Sequence, residues 1–152
     1  MLALVVACAG ATPLAGCSRQ TDAAGGSGAA VAERVTTGVP EKGGSYTSKE
    51  DVAAYLHAYG ELPSNYISKT KARAQGWSPS KGNLDEVCPG MSIGGGTFHD
   101  DDGALPKARG RSWRECDVNY HGGFRGEERL VYSSDGLIFY TGDHYQTFEQ
   151  LY

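Results

Sequence analysis

The pattern of apolar and polar positions changes character twice along the chain. Residues 1–17, MLALVVACAGATPLAGC, form an apolar core followed by small residues, and no Lys or Arg precedes that core. From Ser18 to about Tyr46, Gly, Ala, Ser and Thr dominate, with AAGGSGAA at 23–30. Too little apolar surface lies there to offset chain entropy, which predicts a flexible tether. Periodic patterns begin after Tyr46. Val52, Tyr55, Leu56 and Tyr59 recur at helical spacing behind the capping stretch Thr47-Ser48-Lys49-Glu50-Asp51, and Gly60 stops that helix. Ser68 caps a second helix running through Ala72 to Gly76, and Asn83 opens a short third one before Pro89.

Beyond Gly90 the period becomes two. Ser112–Val118, Glu128–Ser133 and Leu137–Thr141 are predicted strands, rich in aromatic and β-branched residues. Asp135-Gly136 between the last two predicts a hairpin turn of the primed type. Helices first and strands afterwards predict an α+β domain with an antiparallel sheet.

Length and charge narrow this further. A chain of 152 residues fits one domain plus processing segments: a signal peptide at 1–17, a tether at 18–46 and a folded part at 47–152. A net charge of −4 argues against coating nucleic acid by bulk charge, so any such contact needs a local basic cluster. No run of 18 apolar residues exists to form a stable membrane span. The leader has the form of a secretory signal. Its end, Leu14-Ala15-Gly16-Cys17, resembles a bacterial lipobox, which implies lipidation of Cys17 and attachment to a membrane. The alternative is an ordinary signal in which Cys17 is incidental. Either way the product is secreted or anchored at the cell surface. In such a compartment Cys88 and Cys116 read as a disulfide, whereas in the cytosol they would be free thiols or a metal site.

Five features carry candidate chemistry. Lys107, Arg109, Arg111, Arg114, Arg125 and Arg129 form a dense run of cations, either a solvated face or an anion site. Period two places Arg125 and Arg129 on one side, where guanidinium forks match phosphate oxygens. Glu115 lies mid-strand and must pair or serve a site. His144 follows the last hairpin in a loop beside Tyr145. His99-Asp100-Asp101-Asp102 is rich in oxygen ligands, but four consecutive residues cannot all face one ion and EF-hand spacing is absent. Gly94-Gly95-Gly96 lacks a following Gly-Lys-Ser/Thr and reads as a bulge or a close backbone approach rather than a phosphate loop.

Longer stretches decide between these readings. Leu62-Pro63-Ser64-Asn65-Tyr66-Ile67, Gly76-Trp77, Ser80-Lys81-Gly82-Asn83-Leu84, Pro89-Gly90 and Ser92-Ile93-Gly94-Gly95 resemble the barnase-type bacterial ribonucleases, the guanyl-preferring microbial family. So do Gly110-Arg111-Ser112-Trp113-Arg114-Glu115, Tyr132-Ser133-Ser134-Asp135 and Asp143-His144-Tyr145-Gln146-Thr147-Phe148. The resemblance runs from about Val52 to Phe148 and implies a twisted antiparallel sheet of about five strands behind N-terminal helices. It implies Glu115 as general base, His144 as general acid, Arg125 and Arg129 as phosphate ligands and Lys69 as the active-site lysine. The guanine-binding loop falls on Phe98, His99, Asp100, Asp101 and Asp102, with Tyr145 beside the nucleotide. The implied activity is metal-independent, cofactor-free cleavage of RNA by a monomer, held in check in the producing cell by an acidic, barstar-like inhibitor.

Three positions depart from that pattern. Asp102 stands where relatives usually carry glutamate, Asp101 where a basic residue is common, and Gly96 where an aspartate is frequent. An acidic loop repels both the RNA backbone and an acidic inhibitor, so weaker guanine preference and weaker inhibitor docking are expected. Two rivals stand beside this reading. One is a catalytically inactive RNA- or protein-binding lipoprotein domain, and the other a metal-dependent phosphodiesterase built on residues 99–102.

Overall fold

A computed structural model describes residues 38–152, and the expected lipidation site Cys17 lies outside them. Three helices precede most of one sheet: α1 (Lys49–Tyr59), α2 (Lys69–Ala74) and α3 (Leu84–Val87). The sheet has six strands in sequential order: β1 (Tyr66–Ile67), β2 (Ser92–Phe98), β3 (Trp113–Asp117), β4 (Arg129–Ser133), β5 (Ile138–Thr141) and β6 (Glu149–Gln150). Every pairing is antiparallel except β1 with β2. The α+β architecture expected from the sequence is present. Three strands lie beyond the period-two stretches: β1 and β6 are only two residues long and carry no readable alternation, and β2 is built around the glycine run 94–96.

The helix ends follow from local chemistry. Ser48 accepts from the Asp51 amide at the start of α1, and Gly60 closes it in the left-handed conformation (φ 67°). Ser68 caps α2 by accepting from the Lys71 amide. Asn83 precedes α3 but does not cap it; its side chain holds the Ser78 amide and the Gly76 carbonyl instead.

Period two sorts the sheet into two faces. Cys116, Val118, Leu130 and Ile138 point to α1 and pack with Val52, Ala53 and Leu56. Trp113, Val131 and Phe139 lie on the other face with Leu105, and Glu115, Asp117, Arg129 and Thr141 share that face by register. A third cluster, Ile67, Ala72, Trp77, Leu84, Cys88 and Ile93, fills the space under α2 and α3. The glycine run behaves as a bulge: register shifts between Gly94 and Gly96, and a Cβ on Gly94 would lie 2.6 Å from the Tyr66 ring and 2.9 Å from Cys116 Cβ.

Three expectations are corrected. Cys88 and Cys116 are free, buried thiols rather than a disulfide. They belong to different clusters, Cys88 donating to Gln75 Oε1 while Cys116 faces α1 from mid-strand. The tether does not extend to 46. Pro40 is buried, its carbonyl accepts from Tyr59 Oη (2.8 Å), and the Tyr46 backbone is bonded on both sides by Asn65 (3.0 Å each). The partners that dock residues 40–46 lie in α1 and after it, so composition alone hid them. The β4–β5 turn is not a primed two-residue turn, because only Gly136 takes positive φ (96°) and Ser133 N bonds Leu137 O. It is a three-residue loop closed by a left-handed glycine.

Alkylation in urea without reductant should label both Cys88 and Cys116, and neither in the native protein; peptide mass mapping reads the result.

Candidate active site

Two carboxylates stand two residues apart on β3 and therefore on one face. Asp117 is 2% exposed and sits opposite Arg129 in register. Arg125 Nε and Nη2 each donate to it at 2.5 Å, and Arg129 Nε lies 2.9 Å from Oδ1. That last contact is one of charge, since the Arg129 Nε–H is not aligned as a hydrogen bond. Arg129 Nη1 is tied to the Gly126 and Glu128 carbonyls at 2.8 Å. Burial works against the Arg125 charge, but the Asp117 hydrogen bonds outweigh it and hold the guanidinium protonated.

Glu115, the second carboxylate, has both oxygens engaged. Lys69 Nζ, on the first residue of α2, donates to Oε1 at 2.7 Å, and Tyr145 Oη donates to Oε2. Burial alone would raise this carboxyl, yet the bonds from Lys69 and Tyr145, with the charges of Lys69 and Arg125, hold it below its ordinary range. Burial and the Glu115 charge push the Tyr145 phenol up, so it stays a donor. Three cations against two anions leave one positive charge in excess on this face. Such an excess suits an anion.

His144 and Tyr145 both adopt left-handed backbone, φ 54° and 73°. Such residues cost about 1–3 kcal/mol each and persist where neighbours over-determine them. Asp143 supplies that constraint: its carboxylate accepts from Thr141 Oγ1, the Gln146 and Thr147 amides and Thr147 Oγ1 at 2.6–3.0 Å. The Thr147 bonds, followed by those from Thr141 and Gln146, bring its pKa down to about 2. Thr141 Oγ1 in turn accepts from the Tyr145 amide. The loop thus holds exposed His144 where two clefts meet. One, of about 530 Å³, is walled by Phe98 to Asp102, Tyr145 and Phe148. The other, of about 360 Å³, contains Trp77, Phe124, Arg125 and Arg129.

The structure brings Lys69, Glu115, Arg125, Arg129 and Tyr145 together and separates the rest of the cation run. Arg111 is bidentate to Asp135 and bonds the Pro106 carbonyl, while Arg114 donates to the Gly95 carbonyl. Arg125 reaches the site from the loop before β4, not from a strand, so period two is not what aligns it with Arg129. In the 99–102 loop, Asp100 braces the chain by accepting from the Ala104 and Leu105 amides; Asp101 and Asp102 are exposed. Among the described residues no three His, Cys, Asp or Glu side chains gather as a metal-binding group. A side chain at 96 would border Glu115, since a Cβ there would lie 3.6 Å from Oε1; glycine leaves that side open. Asp117 and Asp143 escaped the sequence reading. The alternation in Trp113-Arg114-Glu115-Cys116-Asp117 was the available signal for Asp117, because it puts a second acid beside Glu115.

Residues 49–152 match the family model described as ribonuclease. The chain belongs to the barnase-type ribonuclease family. It is 58% identical over 102 residues to a ribonuclease of Heyndrickxia coagulans, a match spanning 67% of this chain and 94% of that one. Ribonucleases of Bacillus intermedius and Bacillus pumilus are also 58% identical over 102 residues, and there the match spans 63% of the relative's length. Family membership makes RNA cleavage the activity class, and a positively biased face with a fixed carboxylate is consistent with it.

Replacing Asp117 with Ala should cost about 3–5 kcal/mol in urea denaturation, because it strands two guanidinium groups packed around one buried carboxylate. A loss below 1 kcal/mol would show that water takes over its role.

Proposed function

We infer that the protein is a metal-independent endoribonuclease that cleaves single-stranded RNA by transesterification. The observation that carries this is the doubly held Glu115 carboxylate beside Lys69, Arg125 and Arg129, with His144 at the junction of two clefts. Glu115 removes the proton from a ribose 2′-hydroxyl, and the 2′-oxygen bonds to the adjacent phosphorus. The bond from phosphorus to the 5′-oxygen breaks as protonated His144 delivers its proton to that oxygen. The products are a 2′,3′-cyclic phosphate and a 5′-hydroxyl, and water can open the ring in a second step with the roles reversed. Lys69 and the two arginines supply the positive charge that a metal supplies in other phosphotransferases, already oriented before substrate arrives. DNA lacks the 2′-hydroxyl and has no nucleophile to offer.

Guanine preference is part of the same proposal, with the cleft at Phe98, His99, Asp100, Asp101, Asp102 and Tyr145 as base site. Asp102 is one methylene shorter than the usual glutamate, so discrimination is expected to be weaker. The negative charges of Asp100 and Asp101 are expected to weaken docking of an acidic, barstar-like inhibitor. Export follows from the leader at 1–17, with lipidation of Cys17 as the anchored form and a monomer as the acting species. Mass spectrometry of the mature N-terminus should find a diacylated cysteine at 17; an unmodified N-terminus at another residue would favour simple secretion.

RNA should be cut in excess EDTA and matched DNA should not. Glu115→Gln and His144→Ala should each lower kcat by about 10²- to 10⁴-fold, the usual contribution of one acid–base group. The rate should rise with pH as Glu115 ionises. Lys69→Ala removes a bond that favours the Glu115 anion, so the acidic limb should move to higher pH. Loss of cleavage in EDTA would overturn metal independence. A wild type that binds RNA without cutting it would favour the inactive binding domain.

A further inference from the structure

The face of the sheet turned away from Glu115 carries a cleft that the chemistry above does not use. Alternation puts Arg114 and Tyr132 on the α1 side of β3 and β4, because Trp113, Glu115 and Val131 take the other side. In register, Arg114, Tyr132 and Ile138 form one row across β3, β4 and β5. That row, the end of α1 from Leu56 to Gly60 and the β4–β5 loop enclose about 290 Å³. Two of the lining residues are glycines at positive φ, Gly60 (67°) and Gly136 (96°), a conformation that disfavours larger side chains. A Cβ built on either would meet nothing within 4 Å, so the space stays open.

The polar groups around this cleft are donors with spare capacity. Arg114 Nη1 donates to the Gly95 carbonyl at 2.9 Å, and its other nitrogens have no partner among the described residues. Tyr132 Oη has no hydrogen-bond partner among them either. Burial, followed by the Cys116 and Arg114 charges acting in opposite senses, leaves that phenol raised, so it is a donor at neutral pH. Ser134 Oγ accepts from the Ser112 amide at 3.1 Å and keeps its own proton to donate. No Asp or Glu among the described residues lines the cleft. Asp135, between two lining residues, is held by a bidentate pair with Arg111.

The opposite end is apolar. Leu56 and Ile138 lie at its base, and His57 presents a ring stacked flat on Tyr152, with 4.1 Å between centres and 17° between planes. Carbonyl groups at the C-terminal end of α1 repel an anion, which assigns the anionic part of a ligand to the Arg114 end and its apolar part to the helix end. A guanidinium fork with two hydroxyl donors matches the three free oxygens of a phosphate monoester. The volume, near the lower bound of about 300 Å³ for ligand pockets, suits a small molecule.

We propose that this cleft is a second ligand site, separate from the one around Glu115, and that it binds a small aryl phosphate. Its phosphate is held by Arg114, Tyr132 and Ser134, and its ring lies over Leu56 and Ile138. The site owes nothing to the catalytic reading, since it stands on the other face of the sheet.

The test titrates phenyl phosphate into the isotope-labelled full chain and follows its amide resonances by NMR. The amides of Ser134, Gly136 and Gly60 should shift together along one binding curve. Phenol and inorganic phosphate, each carrying half of the ligand, should bind there at least about 10-fold more weakly. Arg114→Gln should raise Kd for phenyl phosphate about 10- to 100-fold, the effect of losing a hydrogen bond to a charged group. Tyr132→Phe removes a hydroxyl with no partner in the protein, so the fold is retained while Kd rises about 2- to 10-fold. Shifts confined to Lys69, Glu115 and His144 would overturn the proposal, since the ligand would then occupy only the site described above. An unchanged Kd in both variants would also overturn it, as would phenol or phosphate binding as tightly as phenyl phosphate. RNA cleavage, measured alongside, reports on the catalytic reading separately.

Discussion

The carboxylate of Asp117 anchors the positive side of the site. It is buried in β3, faces Arg129 directly across the β3–β4 register, and draws in Arg125 from the loop that precedes β4. Two guanidinium groups so close together would repel each other and resist desolvation; one shared anion offsets both costs. The arginines are thereby fixed before any substrate arrives, and Arg125 holds the wall of the cleft beside Trp77. Sheet register, loop path and local electrostatics thus meet at one side chain.

Glu115 is governed by a different balance. Its place two residues from Asp117 puts it on the same face, but its partners come from the far ends of the domain, Lys69 from α2 and Tyr145 from the loop after β5. Desolvation would make it a stronger base and a poorer anion, while two donors pull the other way and prevail. The carboxylate is therefore charged, oriented and only modestly basic. The Asp143 bracket does the equivalent for the loop after β5, offsetting the strain of two left-handed residues with four hydrogen bonds so that His144 stands between the clefts.

The two clefts that meet at His144 differ in charge. Asp101 and Asp102 make the 98–102 cleft acidic, whereas the cleft containing Phe124 and Arg125 is aromatic and basic, with Glu127 its one acidic wall residue. A polyanion meets repulsion on one side of His144 and attraction on the other.

Much of this was legible in the residues themselves. Hydrophobic period and capping side chains located α1, α2 and the strands β3, β4 and β5, because those signals act over a few residues and are written locally. The resemblance in long stretches supplied the family and the residues now found together around Glu115. Other features lay beyond local reading. Cys88 and Cys116 remain thiols because the layers of the fold send them to separate clusters. Residues 40–46 belong to the folded unit because their hydrogen-bond partners come from α1 and from Asn65. Of the cations in the run from 107 to 129, only Arg125 and Arg129 reach the site, since Arg111 and Arg114 are bound by a hairpin tip and a backbone carbonyl. Each depends on which distant group arrives within about 3 Å, the range over which hydrogen bonds and buried ion pairs act. Sequence order determined the elements and the family, and tertiary packing decided which charges are tied to local partners and which gather around Glu115 and Asp117.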